Sequence, residues 1–124
     1  MLNILERGTV YKEQLTGVQS RLNLFAELFG LKKLDRGRRP NAGIYGVVGE
    51  YDCSIQVTAL ETDWEVLPDK INPEMTFTIW CGVYRKAQPT VRKSEILRHT
   101  KFSELENSLE LFLVEAEKLL EQYV

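Results

Sequence analysis

Few residues of this chain carry the chemistry of catalysis or metal binding, and they lie far apart in sequence. The soft ligands are two cysteines, Cys53 and Cys81, and one histidine, His99. A structural zinc site needs four nitrogen or sulfur donors at close, paired spacings, and these three residues do not supply them. Each cysteine falls at an apolar position of an alternating run, which reads as a small buried hydrophobe in a reducing compartment. A cross-strand disulfide is the alternative if the two runs are neighbours. His99 stands between Arg98 and Thr100, the setting of a surface residue rather than a general base. Glu61, Asp63, Glu65 and Asp69 share one connection, but it lacks the glycine and terminal glutamate of a calcium loop. No phosphate loop, dinucleotide glycine motif, nucleophile elbow or metalloprotease helix is present. The expectation is a protein without catalytic residues, metal or cofactor.

Binding is the better-supplied chemistry. Five of the eight residues at 32–39 are basic: Lys32, Lys33, Arg36, Arg38 and Arg39. Guanidinium forks suit phosphate and carboxylate oxygens, so this stretch could hold a nucleic acid or an acidic partner. A second basic stretch at 85–101 carries Arg85, Lys86, Arg92, Lys93, Arg98 and Lys101 against Glu95 alone. The C-terminal region is the reverse, with Glu104, Glu106, Glu110, Glu115, Glu117 and Glu121 against Lys118. Such segregation steers complementary surfaces together, including two copies of one chain. Trp80 and Tyr84, with Tyr45 beside them, make a third candidate surface. Exposed aromatics next to arginine are typical of interface hot spots, and they can also stack bases.

The elements that would position these residues follow from periodicity. Residues 75–84 alternate, with Met75, Phe77, Ile79, Cys81 and Val83 on one side and Thr76, Thr78, Trp80, Gly82 and Tyr84 on the other. This is a central strand with one dry face. A second strand alternates through Tyr51, Cys53, Ile55, Val57 and Ala59, and a shorter one spans 44–48. Gly49 and Glu50 mark a hairpin turn or bulge between them. Residues 90–100 suit either a short edge strand or a helical turn, with a strand or extended arm the preferred reading. The first 34 residues read as helix, with Tyr11, Leu15, Val18, Leu22, Phe25 and Phe29 in a heptad stripe that Leu24 and Leu28 widen. Thr9 is the expected N-cap, with one long helix through Gly8 as the alternative, and Gly30 the expected C-terminal stop. The final helix spans 103–123. Its capping box is Ser103 and Glu106, and its stripe is Leu105, Leu109, Phe112, Ala116, Leu119 and Tyr123, broadened by Leu113 and Leu120. The connections 32–43 and 61–73 read as loops, the latter anchored by Trp64, Val66 and Leu67.

The chain is expected to form a single α+β domain over 1–124: two layers, with a small antiparallel sheet of three or four strands flanked by an N-terminal and a C-terminal helix. Its 124 residues suffice for one core, and 44% apolar with 27% charged residues is an ordinary globular composition. A net charge of −2 argues against a surface devoted wholly to nucleic acid. Neither a signal peptide nor a membrane span is legible, so a cytoplasmic protein is expected. The leading functional expectation is a protein-binding module, an adaptor, specific chaperone or inhibitor, that forms a homodimer through the last helix or a sheet edge. The alternative is a nucleic-acid-binding regulator that uses 32–39 and 85–101.

Overall fold

Two glycines in the left-handed region mark where the chain stops one element and starts another. Gly30, at φ 87, ends the first helix, α1 (Ile4–Phe29). The amides of Gly30 and Leu31 both donate to the Ala26 carbonyl, closing the last turn as a left-handed cap does. Gly49, at φ 57, turns β1 (Ala42–Val48) into β2 (Tyr51–Ala59). A Cβ there would run into the Tyr123 carbonyl. The structure, a computed structural model, describes residues 4–31, 42–59, 74–85 and 88–124.

β3 (Thr76–Arg85) and β4 (Gln88–Lys101) complete an antiparallel sheet in the order β1-β2-β3-β4. A short 3-10 turn at Phe102–Glu104 then leads into α2 (Leu105–Glu121). The result is a two-layer α+β arrangement, with both helices on one side of a four-stranded meander. The helix-side face carries Ala42, Ile44, Val48, Cys53, Ile55, Val57, Ala59, Phe77, Ile79, Cys81 and Val83, all buried. These side chains form one core with Val18, Leu22 and Phe25 of α1 and Leu105, Leu109, Phe112, Leu113, Ala116 and Leu120 of α2. Phe77 sits at its centre, with Tyr11 and Phe102 rings 6.3 Å and 5.7 Å away.

Polar bonds fix each helix to the sheet. The Gln19 amide donates to the Gly43 carbonyl and accepts from the Gly43 amide, both at 2.8 Å. Thr100 and Ser108 share a hydroxyl bond of 2.7 Å, and Ser94 bonds Tyr123. Between the helices Arg21 and Glu110 form an ion pair. Its hydrogen bonds hold the Glu110 carboxyl below its usual range.

Several expectations are corrected. Helix α1 runs without a break through Gly8 and Thr9, so Thr9 is not an N-cap; the long uninterrupted helix is the form adopted. The Ser103–Glu106 capping box does not form. Ser103 lies inside the 3-10 turn, and neither the turn nor α2 has a side-chain cap. Phe102 decides this: it is buried, its amide donates to the Met75 carbonyl, and its carbonyl accepts from Gln14. That anchoring leaves Ser103 without the extended backbone a cap needs. Leu24 and Leu28 do not widen the buried stripe of α1, being 45% and 77% exposed. The cysteines are neighbours without a bridge. Cys53 faces Val83 and Cys81 faces Ile55, so the two lie diagonally, and both thiols are free. The basic stretch 32–39, Lys86 and the connection 61–73 lie outside the described residues.

Candidate functional site

The sheet has a second face, and among the described residues neither helix covers it. Alternation puts Tyr45 and Val47 of β1 there, with Asp52, Ser54, Gln56 and Thr58 of β2 and Thr76, Thr78, Trp80, Gly82 and Tyr84 of β3. Register then brings them together across strands: Tyr45 opposite Ser54, Asp52 opposite Tyr84, Gln56 opposite Trp80 and Thr78 opposite His99. Three of the sequence candidates, Tyr45, Trp80 and Tyr84, thus share one surface.

Trp80 is held in a specific pose. A Cβ at residue 82 would overlap the six-membered ring of its indole, so the ring lies over the backbone of Gly82. Its Nε1 donates to Glu95 Oε2 at 2.6 Å. The Arg92 guanidinium lies over the ring, 5.2 Å from its centroid, within cation–π range. Arg92 therefore belongs to this surface. Arg85 and Lys93 gather instead over the Tyr51 ring, at 5.6 Å and 5.9 Å; Tyr51 packs edge-on against Tyr123. Arg85, Arg92 and Lys93 thus divide between two aromatic anchors.

Beside Trp80 is a shallow hollow of about 230 Å³ lined by Ser54, Gln56, Trp80, Tyr84 and Arg92. Ser54 Oγ and the Tyr84 hydroxyl are 3.0 Å apart. Asp52 sits next to this pair, only 7% exposed, and among the described residues its Oδ2 has no hydrogen-bond partner. Burial, then the charge of Asp52, pushes the Tyr45 hydroxyl up to about 12. Tyr84 is raised as well, chiefly by burial, although its bond with Ser54 works the other way. These phenols stay protonated at neutral pH and can give or take hydrogen bonds, but they do not act as bases.

The other chemical residues are similarly quiet. Burial pushes the thiols of Cys53 and Cys81 up to about 11 and 12, so neither is a ready thiolate. His99 Nδ1 is 3.0 Å from Thr78 Oγ1 on the exposed side of the sheet. Among the described residues no group of three or more histidine, cysteine or acidic side chains could hold a metal, and no helix is long and apolar enough to cross a membrane. A larger hollow of about 320 Å³ lies between the helices, where the Arg21–Glu110 pair satisfies its own charges.

Sequence reading missed Asp52, Ser54, Gln56, Gly82 and Glu95 as parts of this surface. The alternation gave the side of the sheet on which the first four stand. Pairing register, which decides what each one meets, has no local signature. Comparison with family models, with curated proteins and with solved structures finds no match to this chain.

Proposed function

We propose that the chain is a protein-binding module that docks its partner on the helix-free face of the sheet and performs no chemistry on it. The observation that carries this reading is the gathering of Trp80, Tyr84, Tyr45 and Arg92 on one open surface. Tyrosine, tryptophan and arginine are the residues that dominate interface energetics. They are held here by β-strands and by hydrogen bonds, so little ordering entropy remains to be lost on binding. A protein partner is favoured over nucleic acid by the state of Trp80. One side of its indole rests on the backbone at Gly82 and Arg92 lies over the ring, whereas a base needs an open aromatic face to stack on. The reading includes cytoplasmic residence and a homodimer, with the docking face left clear.

The test is capture of partners by the tagged full-length protein from its host's lysate. Thr78→Arg places a long cation in the middle of the open face, and Glu117→Lys changes the helix side. A stoichiometric partner lost with Thr78→Arg and kept with Glu117→Lys is the expected result. A partner retained by both variants, or a bound nucleic acid shed by salt, overturns the reading.

A further inference from the structure

We propose that the free edge of β4 is a strand-addition site, which takes an extended segment of the partner protein in which acidic and apolar residues alternate. The proposal rests on the reading of the chain as a protein-binding module and names what the partner brings to the border of the open face.

The ladder gives the direction of the backbone groups on this edge. The Phe102 amide donates to the Met75 carbonyl at 2.8 Å, which continues the pairing of Thr76 with Lys101 by one step. In an antiparallel pair, hydrogen-bonded and non-bonded positions alternate. Thr100, Arg98 and Ile96 therefore turn their backbone groups toward β3, and Glu95, Leu97 and His99 turn theirs away from the sheet. The same alternation, carried through β2 to β1, points Gly43 outward at the opposite edge. Gln19 meets the Gly43 amide and carbonyl there, so its side chain stands in for a further strand. β4 has no such substitute. Among the described residues, the outward amides and carbonyls of Glu95, Leu97 and His99 meet no hydrogen-bonding group. Such a row is a template for main-chain pairing with an extended peptide.

The side chains set the kind of strand that fits. Arg98 is paired with Ile79 and stands on the helix side of the sheet, while Leu97 is paired with Trp80 and stands on the open side. Among the described residues Arg98 forms no ion pair, and Leu97 is 55% exposed. An added strand alternates in step with β4. It sets an acid beside Arg98 and an apolar residue beside Leu97, the two kinds of cross-strand pair that stabilise a sheet. A second copy of β4 is a poor occupant, because folding it antiparallel about Leu97 brings Lys93 opposite Lys101.

The test uses the ¹⁵N-labelled full chain and a capped heptapeptide of alternating glutamate and valine, with the matching lysine–valine peptide and an oligouridylate as controls. In the free protein the Leu97 and His99 amides exchange with solvent faster than those of Ile96 and Arg98. The acidic peptide produces saturable shifts at 95–101 and slows exchange at Leu97 and His99, and the lysine–valine peptide does neither. Leu97→Pro removes an outward N–H and spares the ladder to β3, as proline on an edge strand does; it weakens peptide binding about tenfold by leaving a carbonyl of the added strand unpaired. Leu97→Ala keeps that N–H and weakens binding only about threefold, the worth of one cross-strand side-chain pair. Arg98→Gln costs about threefold as well, the size of one exposed ion pair. Unchanged signals from β1, β2 and the helices in each variant establish that the fold is intact. Leu97 and His99 amides already protected in the free chain, equal shifts with the lysine–valine peptide, oligouridylate bound at this edge in place of the peptide, or full binding by Leu97→Pro overturn the site. The lysate capture separates it from the open face. A partner lost with Leu97→Pro and kept with Leu97→Ala supports the edge, whereas one released by Thr78→Arg and kept by Leu97→Pro leaves the open face standing and removes the edge.

Discussion

Gly82 and Trp80 act as one unit. Because residue 82 has no side chain, the indole can lie against the sheet, meet Glu95 with its N–H and wall the hollow. Gly82→Ala would drive a methyl into the ring, so the indole must lift away. The expected outcome is a loss of about 1–3 kcal/mol in a denaturant melt, the usual range for overpacking, with a displaced Trp80 indole resonance. An unchanged indole signal would show that the ring does not rest there. The thiols give a second prediction at this scale. Cys53 and Cys81 ionise at about 11 and 12 in the folded chain, against 9.0 without the protein around them. Above about pH 9 the unfolded chain sheds these protons while the folded chain keeps them. Their contribution to stability is therefore whole below pH 9 and is lost as pH rises toward the folded values of 11 and 12. Cys81→Ala should flatten the alkaline fall in melting temperature, and both native thiols should resist a maleimide at pH 8. Rapid native labelling would contradict their burial.

At the level of elements, the strands were the legible part and the helix ends were not. Alternation at 75–84 and 51–59 placed every dry-face residue correctly, because a strand with one buried face must repeat every second residue. Gly30 and Gly49 were readable for a similarly local reason: both stand at positive φ, a conformation glycine enters freely. The start of α2 was misread because two local signals competed. Ser103 and Glu106 have the spacing of a capping box, but Phe102 beside them is drawn into the core through Tyr11 and Phe77, contacts remote in sequence. This makes a sharp contrast for mutation. Ser103→Ala should shift stability by under about 0.5 kcal/mol, as a surface change away from any cap does, whereas Phe102→Ala should cost about 3–5 kcal/mol. A large loss in Ser103→Ala, measured by urea unfolding, would mean that the cap does form. The α1 stripe was overread for a different reason. Leu24 and Leu28 are apolar but exposed, and hydropathy alone does not give the angle that a neighbouring helix leaves open.

For the whole molecule, the open question of assembly turns on where charge and apolar surface fall. β4 is an edge strand that bears Arg92, Lys93, Arg98 and Lys101. Rows of cations on an edge oppose pairing with a second copy, and at the other edge, β1, the Gln19 side chain occupies the Gly43 amide and carbonyl; the helix is the more open route to the proposed homodimer. On α2 the residues Asn107, Leu111, Val114 and Lys118 share an outward stripe, with Leu111 61% and Val114 53% exposed. In an antiparallel pair of α2 helices, Leu111 would meet the partner's Val114 and Asn107 the partner's Lys118, so the stripe is self-complementary about a two-fold axis. Completing the burial of Leu111 and Val114 on both helices contributes only about 4–6 kcal/mol before the cost of association. Glu115, Glu117 and Glu121 flank the stripe and would repel their counterparts. The proposed dimer would therefore be weak and would tighten as salt screens those acids, the reverse of the salt response of a complex held by opposite charges. Sedimentation equilibrium should show mass rising with both protein and salt concentration, and Leu111→Glu should remain folded and monomeric throughout. A wild-type mass that stays monomeric at high salt across micromolar concentrations would remove the dimer, while leaving the sheet face free to bind as a single copy.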